Sequence, residues 1–251
     1  MIKHLVAGIR DAALETLYPQ ECRACGRVVE SWKYGISCRA CWEEIDRRNA
    51  ELQICTKCGL PSQGAGATAG DNAFRCRICE DMAFCLARSC GPYEGALRES
   101  VLWLKRHPQI SGRIREMLYS TFNDLSRSSS GFDAMIPVPL HPVRLKERSF
   151  NQSEVIAGAL ASLTGLRVDR TSLIRAIQTS MHRAGMGIRE RSRSLDGVFE
   201  VRAPRMISGR NLLLVDDVIT TGSTAACISA ALLDSGASSV SVISIARAMI
   251  H

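Results

Sequence analysis

Four C-x-x-C pairs constrain this chain more than any other feature of it. They are Cys22/Cys25, Cys38/Cys41, Cys55/Cys58 and Cys76/Cys79, separated by 12, 13 and 17 residues. A C-x-x-C turn brings two thiolates to one side of a tight bend, and two such turns complete the tetrahedral four-sulfur shell that zinc accepts. ECRACGRVV and ICTKCGLPS place Gly26 and Gly59 directly after the second cysteine, at an offset of 33 residues, so the array is an internal repeat. The second copy is longer by the loop SQGAGATAG. Glycine at that point suits a bend with positive φ. The pattern predicts two structural zinc ions held by eight sulfurs, with no open coordination position. Sequential pairing, with 22/25 joined to 38/41 and 55/58 to 76/79, fits the repeat; cross-braced pairing is the alternative. Segments this short, with few large apolar residues, need the metal for much of their folding free energy.

Ten of the eleven cysteines lie between residues 22 and 90, and Cys227 alone lies beyond. The 251 residues therefore divide into unlike parts: residues 1–85, a helix and a double zinc ribbon, and residues 86–251, a larger domain. Residues 2–17 place Ile2, Leu5, Val6, Ile9, Ala13 and Leu17 on one face of a packing helix. Arg10, Asp11 and Glu15 break the only apolar stretch near the start, so neither a membrane anchor nor a secretory signal is expected. The expected compartment is the reducing cytoplasm, where paired cysteines are metal ligands before they are disulfides. Cys85, Cys90 and Cys227 have no second pair to join and read as buried structural thiols. Up to Gly91 there are 12 basic and 11 acidic residues, and beyond it 20 and 14. The excess positive charge thus falls on the larger domain, where it suits a phosphorylated ligand or nucleic acid, or is an ordinary solvated surface.

Residues 210–247 describe one βαβ unit. LLLV is a continuous apolar run typical of a buried parallel strand, Ser223 to Ser235 has helical spacing ended by Gly236, and SVSVISIA is a second strand. The connection carries Asp216 and Asp217, then Thr220, Thr221, Gly222, Ser223 and Thr224. Small residues let backbone N–H groups point into a turn that opens a helix, where the macrodipole favours an anion. Two adjacent carboxylates do not suit that same anion. They suit sugar hydroxyls, or Mg²⁺ bound through them.

This acidic pair followed by T-T-G-x-T resembles the fingerprint of the type I phosphoribosyltransferases. The resemblance implies an α/β fold, a parallel sheet flanked by helices, with phosphoribosyl pyrophosphate as ligand. Asp216 and Asp217 would meet the ribose hydroxyls, and Thr220 to Thr224 the 5′-phosphate. Residues 136–154, IPVPLHPVRLKERSFNQSE, resemble the central signature of the ComF family of competence and DNA-utilisation proteins, with Ser149 where glycine is usual. Arg144, Lys146 and Arg148 lie there as anion-binding candidates. Residues 183–199 resemble that family's segment before its last half-domain, and Arg183, Arg189, Arg191 and Arg193 are either a pyrophosphate clamp or a solvated basic loop.

Three functions share this site. One is an accessory of DNA uptake or utilisation that binds phosphoribosyl pyrophosphate or a nucleotide, with a DNA-uptake protein as partner. A second is a working phosphoribosyltransferase with Mg²⁺ and an unassigned acceptor, and a third is a nucleotide sensor without turnover. Trp32, Tyr34, Trp42, Phe74 and Phe84 are few for base stacking, so single-stranded DNA is expected to bind weakly, at Arg98, Lys105, Arg106, Arg113 and Arg115.

Overall fold

The computed structural model describes residues 20–62, 74–177 and 197–249. The helix expected over residues 2–17 and the arginines 183, 189, 191 and 193 lie outside them. The cysteine repeat forms two knuckles of one design. Isolated bridges Glu21↔Val28 and Ile54↔Pro61 close them, and Gly26 and Gly59 take φ +78° and +65°, the conformation predicted for them. In the first ribbon the second cysteine pair opens helix α1 (Arg39–Glu51), with Cys38 as its N-cap. In the second, Cys76 precedes only a single 3₁₀ turn, Arg77–Cys79.

The chain then runs through β1 (Ala87–Ser89), α2 (Gly95–Leu104), α3 (Gly112–Arg127), β2 (Ala134–Pro137), α4 (Pro142–Arg148), α5 (Gln152–Thr164) and β3 (Leu173–Arg175). After the second gap come β4 (Phe199–Val201), the short α6 (Pro204–Ile207), β5 (Asn211–Ile219), α7 (Ser223–Asp234) and β6 (Ser239–Arg247). Four strands form a parallel sheet in the order β1-β6-β5-β2, and β3 pairs with β4 antiparallel. This is the expected α/β architecture. Helix ends follow local chemistry: the Ser111 hydroxyl accepts the Ile114 N–H at α3, Asn151 accepts the Ser153 N–H at α5, and Gly165 ends α5 at φ +74°. Ser149 ends α4 at φ 66°, the left-handed position for which glycine is better suited.

The sheet is buried on both faces. On one, Leu212, Leu214, Val240 and Val242 pack with Ile228 and Leu232 of α7, and the same cluster contains all four cysteines of the second ribbon. On the other, Leu213, Val215 and Ile243 pack with Ile156, Leu160 and Leu118, and this cluster takes in Trp42 and Ile45 of α1. The second ribbon also lies along the open edge of the sheet, where the Lys57 carbonyl accepts the Ala87 N–H at 2.7 Å. Cys90 is buried, and burial pushes its thiol up to about 12. Cys227 is half-buried, and Cys85, expected inside, is exposed. Cys85 and Cys90 flank a strand of only three residues, so burial at one end does not extend to the other.

Candidate functional site

The eight paired cysteines meet as two groups, Cys22/Cys25/Cys38/Cys41 and Cys55/Cys58/Cys76/Cys79, with the four sulfurs of each within 4.8 Å of one another. Pairing is therefore sequential. Zinc–sulfur bonds of about 2.3 Å require sulfur–sulfur edges of ~3.8 Å in a tetrahedron. The edges here are 3.8 Å for Cys22–Cys41, 3.5 Å for Cys25–Cys38, 3.6 Å for Cys55–Cys79 and 3.4 Å for Cys58–Cys76. Backbone N–H groups donate to one sulfur of each set, Cys38 to Cys22 Sγ at 3.2 Å and Cys76 to Cys55 Sγ at 3.3 Å. The donor chemistry and spacing fit structural zinc at both.

The two sets differ in surroundings. Cys25 is exposed, and the Arg27 guanidinium donating to its sulfur at 3.3 Å holds its thiol down to about 6. All four sulfurs of the second set are buried. Burial pushes Cys58 up to about 11; at Cys55 burial acts the same way but is outweighed by N–H donors from Cys58, Cys76 and Lys57, which bring it to about 6.

The acidic pair and the small-residue turn stand at the carboxyl end of β5, where open parallel sheets bind ligands. Strand β5 runs past both aspartates to Ile219, so the connection is shorter than LLLV alone predicts. Pairing with β6 continues to Ile219↔Arg247, which keeps these residues in the sheet. Asp216 Oδ1 accepts the Ser153 hydroxyl at 3.2 Å and the Asp217 N–H at 2.9 Å, and Asp217 Oδ1 accepts the Val218 N–H at 2.7 Å. Burial, and after it the Asp217 charge, raise the Asp216 pKa well above the ordinary carboxylate range. Two like charges held side by side are the oxygen donors that a hard cation such as Mg²⁺ takes.

Thr220 is exposed and Thr224 half-buried, whereas Thr221, Gly222 and Ser223 are buried. The Thr221 and Ser223 hydroxyls bond each other at 2.9 Å. Gly222 caps α7 at φ 86°, and a Cβ there would lie 3.2 Å from Met82 Sδ and Cε, a wall supplied by the second ribbon. Of the first N–H groups of α7, which have no partner within the helix, that of Ser223 donates to the Thr221 hydroxyl at 3.3 Å.

Because β2 pairs with β5 in the register Pro137↔Val215, the central signature emerges beside the acidic pair. Ser153 touches Asp216 for this reason, a contact that sequence alone does not disclose. Arg148 donates to Gln152 Oε1 at 3.0 Å, and Arg144 lies 3.9 Å from Glu147. Arg175, at the end of β3 and marked by no sequence motif, is lowered first by burial and then by the Arg144 charge, while Asp216 acts on it in the opposite sense. Arg175 thus lies within electrostatic reach of both Asp216 and Arg144. Arg189 and Arg191 fall outside the described residues. Of the basic residues considered for DNA, Arg113 pairs with Asp46 at 2.5 Å and Arg98 with Glu99 at 2.5 Å. Trp42 and Phe84 are core residues, while Trp32 stays exposed.

A zinc-binding ribbon pair joined to a parallel α/β sheet, with an acidic pair and a turn of small residues at the end of β5, defines the class. The family model for the double zinc ribbon domain matches residues 13–86. The chain is 30% identical to the DNA utilization protein YhgH of Salmonella typhi over 92% of its own length and 98% of that protein's. Identity is 28% to competence protein F of Haemophilus influenzae, over 55% of this chain and 62% of that protein, and 24% to competence protein ComFC of Bacillus subtilis, over 84% and 83%. The chain belongs to this family of ComF and YhgH proteins. Among solved structures, the allosteric regulatory enzyme of purine biosynthesis is similar at 19% identity and a TM-score of 0.34, over 57% of this chain and 30% of that one. Among the described residues no helix is long and apolar enough to cross a membrane.

Proposed function

We propose that the α/β part binds phosphoribosyl pyrophosphate or a nucleotide, and that the chain serves DNA utilisation or competence, as the names of its relatives indicate. The observation that carries this reading is the end of β5, where two carboxylates precede a buried turn of small residues that opens α7. In this reading the α7 N–H groups and the hydroxyls of Thr220 and Thr224 hold the 5′-phosphate, and Asp216 and Asp217 take the ribose hydroxyls. Ser153 fixes the orientation of Asp216. Magnesium bound through the acidic pair would offset the pyrophosphate charge. In this reading Arg144 and Arg148 serve as anion contacts, with Arg189 and Arg191 further candidates. Lys105 and Arg106 are the basic residues assigned to any weak contact with single-stranded DNA.

Isothermal titration with phosphoribosyl pyrophosphate and Mg²⁺ tests the ligand, and a pyrophosphate-release screen over bases and amines tests turnover. Saturable, Mg²⁺-dependent binding that is lost in Asp216→Asn/Asp217→Asn is expected. Normal binding by that double variant would remove the ribose assignment, and no binding by the unaltered chain would remove the ligand. Binding without pyrophosphate release is the outcome expected of an accessory or sensor.

A further inference from the structure

The side chain that ends β6 is a buried cation reaching in two directions. Arg247 is 1% exposed. Its Nη1 donates to the Ile219 carbonyl at 3.0 Å and to the Thr220 carbonyl, the two backbone oxygens just before the turn. Its Nε and Nη2 meet no acceptor at hydrogen-bonding geometry among the described residues. Arg247 lines one cavity with Gly59 and Pro61 of the second knuckle, and its guanidinium lies within electrostatic reach of the Cys58, Cys76 and Cys55 sulfurs. A buried cation with three of its five N–H donors unanswered requires a countercharge nearby. Four thiolates around one Zn²⁺ form a net dianion, which supplies it. A second contact joins the same two places. Met82, packed against Gly222, is held in the ribbon by its carbonyl, which accepts Lys57 Nζ at 2.7 Å, and by its N–H, which reaches the Cys79 carbonyl at 3.2 Å.

We propose that Arg247 is a positioning residue that ties the second zinc site to the turn Thr220–Thr224, so that zinc in the Cys55/Cys58/Cys76/Cys79 set fixes the backbone of that turn. Among the described residues the first zinc site has no such link. The coupling concerns the chain's own geometry; only its effect on ligand affinity rests on the phosphoribosyl reading.

The test uses the full chain in zinc- and cobalt-loaded form. Arg247→Gln should keep two metals per chain, as the two four-cysteine sets require. Amide exchange over residues 219–224 should quicken by about tenfold, with β2 and α5 unchanged. Cys25→Ser, which leaves cobalt in the second set only, isolates that set's cobalt–thiolate absorption. Adding Arg247→Gln to it should shift the band, and Arg247→Lys, which keeps the charge, should restore part of the shift. A two-metal Arg247→Gln protein with unchanged exchange and an unchanged band would overturn the proposal. Should Arg247→Gln fail to fold, Arg247→Lys is read alone, with the same two measurements deciding. Phosphoribosyl pyrophosphate with Mg²⁺, titrated into the cobalt-loaded Cys25→Ser chain, should shift the band as well, since coupling is reciprocal. Binding without a shift counts against the coupling. Absence of binding removes the ligand reading and leaves the exchange result to judge the coupling.

Discussion

The two zinc ribbons grow from one repeated motif and end in opposite situations. The first is attached from outside: Trp42 and Ile45 anchor α1 in the core, and the ion pairs Arg113–Asp46, Arg48–Glu94 and Lys33–Glu116 tie it down at the surface. Exposed pairs of this kind each contribute at most about 1 kcal/mol. The second is built in, its four cysteines sharing an apolar cluster with the central strands. One ligand set can therefore be a removable clamp in one place and part of the core in another. The difference comes from the residues between the cysteines and from the segments that leave each knuckle, not from the coordination itself.

The largest effect should come from breaking one site at a time. Cys58→Ser should abolish the cooperative unfolding transition, because structural zinc contributes on the order of 10 kcal/mol and the site lies inside the core. Cys25→Ser should lose one zinc and keep a cooperative transition for the sheet. Elemental analysis and thermal melts compare the two, and equal losses would mean that the ribbons are equivalent after all. Zinc release to a competing chelator should then be biphasic, with the exposed first site emptying at least about tenfold faster, as local opening governs both. Cys25→Ser should remove the fast phase alone.

The two glycines extend the contrast to the backbone. Gly26→Ala meets open space and should cost about 1 kcal/mol for its positive φ. Gly59→Ala adds a Cβ 2.9 Å from the Ala87 carbonyl and should cost about 2–4 kcal/mol, measured by denaturant unfolding.

The smallest effect concerns pH. Asp216 has a folded pKa raised by burial and by Asp217, so its contribution favours folding below the unfolded pKa and is lost as pH rises through the folded one. At neutral pH the ionised group is a cost, and Asp216→Asn should melt higher than the unaltered chain at pH ~7 but equal to it near pH ~4. Glu30, beside the first ribbon, accepts the Arg39 N–H at 2.8 Å, which lowers its pKa. Its contribution is present above the unfolded pKa and is lost as pH falls, so Glu30→Gln should melt lower at neutral pH.

Much of the molecule is legible in its residues because it rests on local patterns. Four C-x-x-C spacings name the eight ligands, and only the folded chain settles that pairing is sequential. Helix α7 begins at Ser223 as its spacing indicates. The hidden part depends on register between distant segments. Ser153 reaches Asp216 only because Pro137 pairs with Val215, and Arg247 reaches Ile219 only because β6 pairs with β5 to its last residue. Cys85 is misread from sequence because a three-residue strand has too little alternation to assign an inward face.

The bond from the Ala87 N–H to the Lys57 carbonyl occupies a position that matters for solubility. Strand β1 ends the sheet, and an uncovered terminal strand is a template on which another chain can add. The second ribbon covers that border only while its knuckle keeps its shape. Zinc starvation would then do more than empty a binding site: it would bare a row of unpaired backbone groups, and the protein would be lost first to self-association.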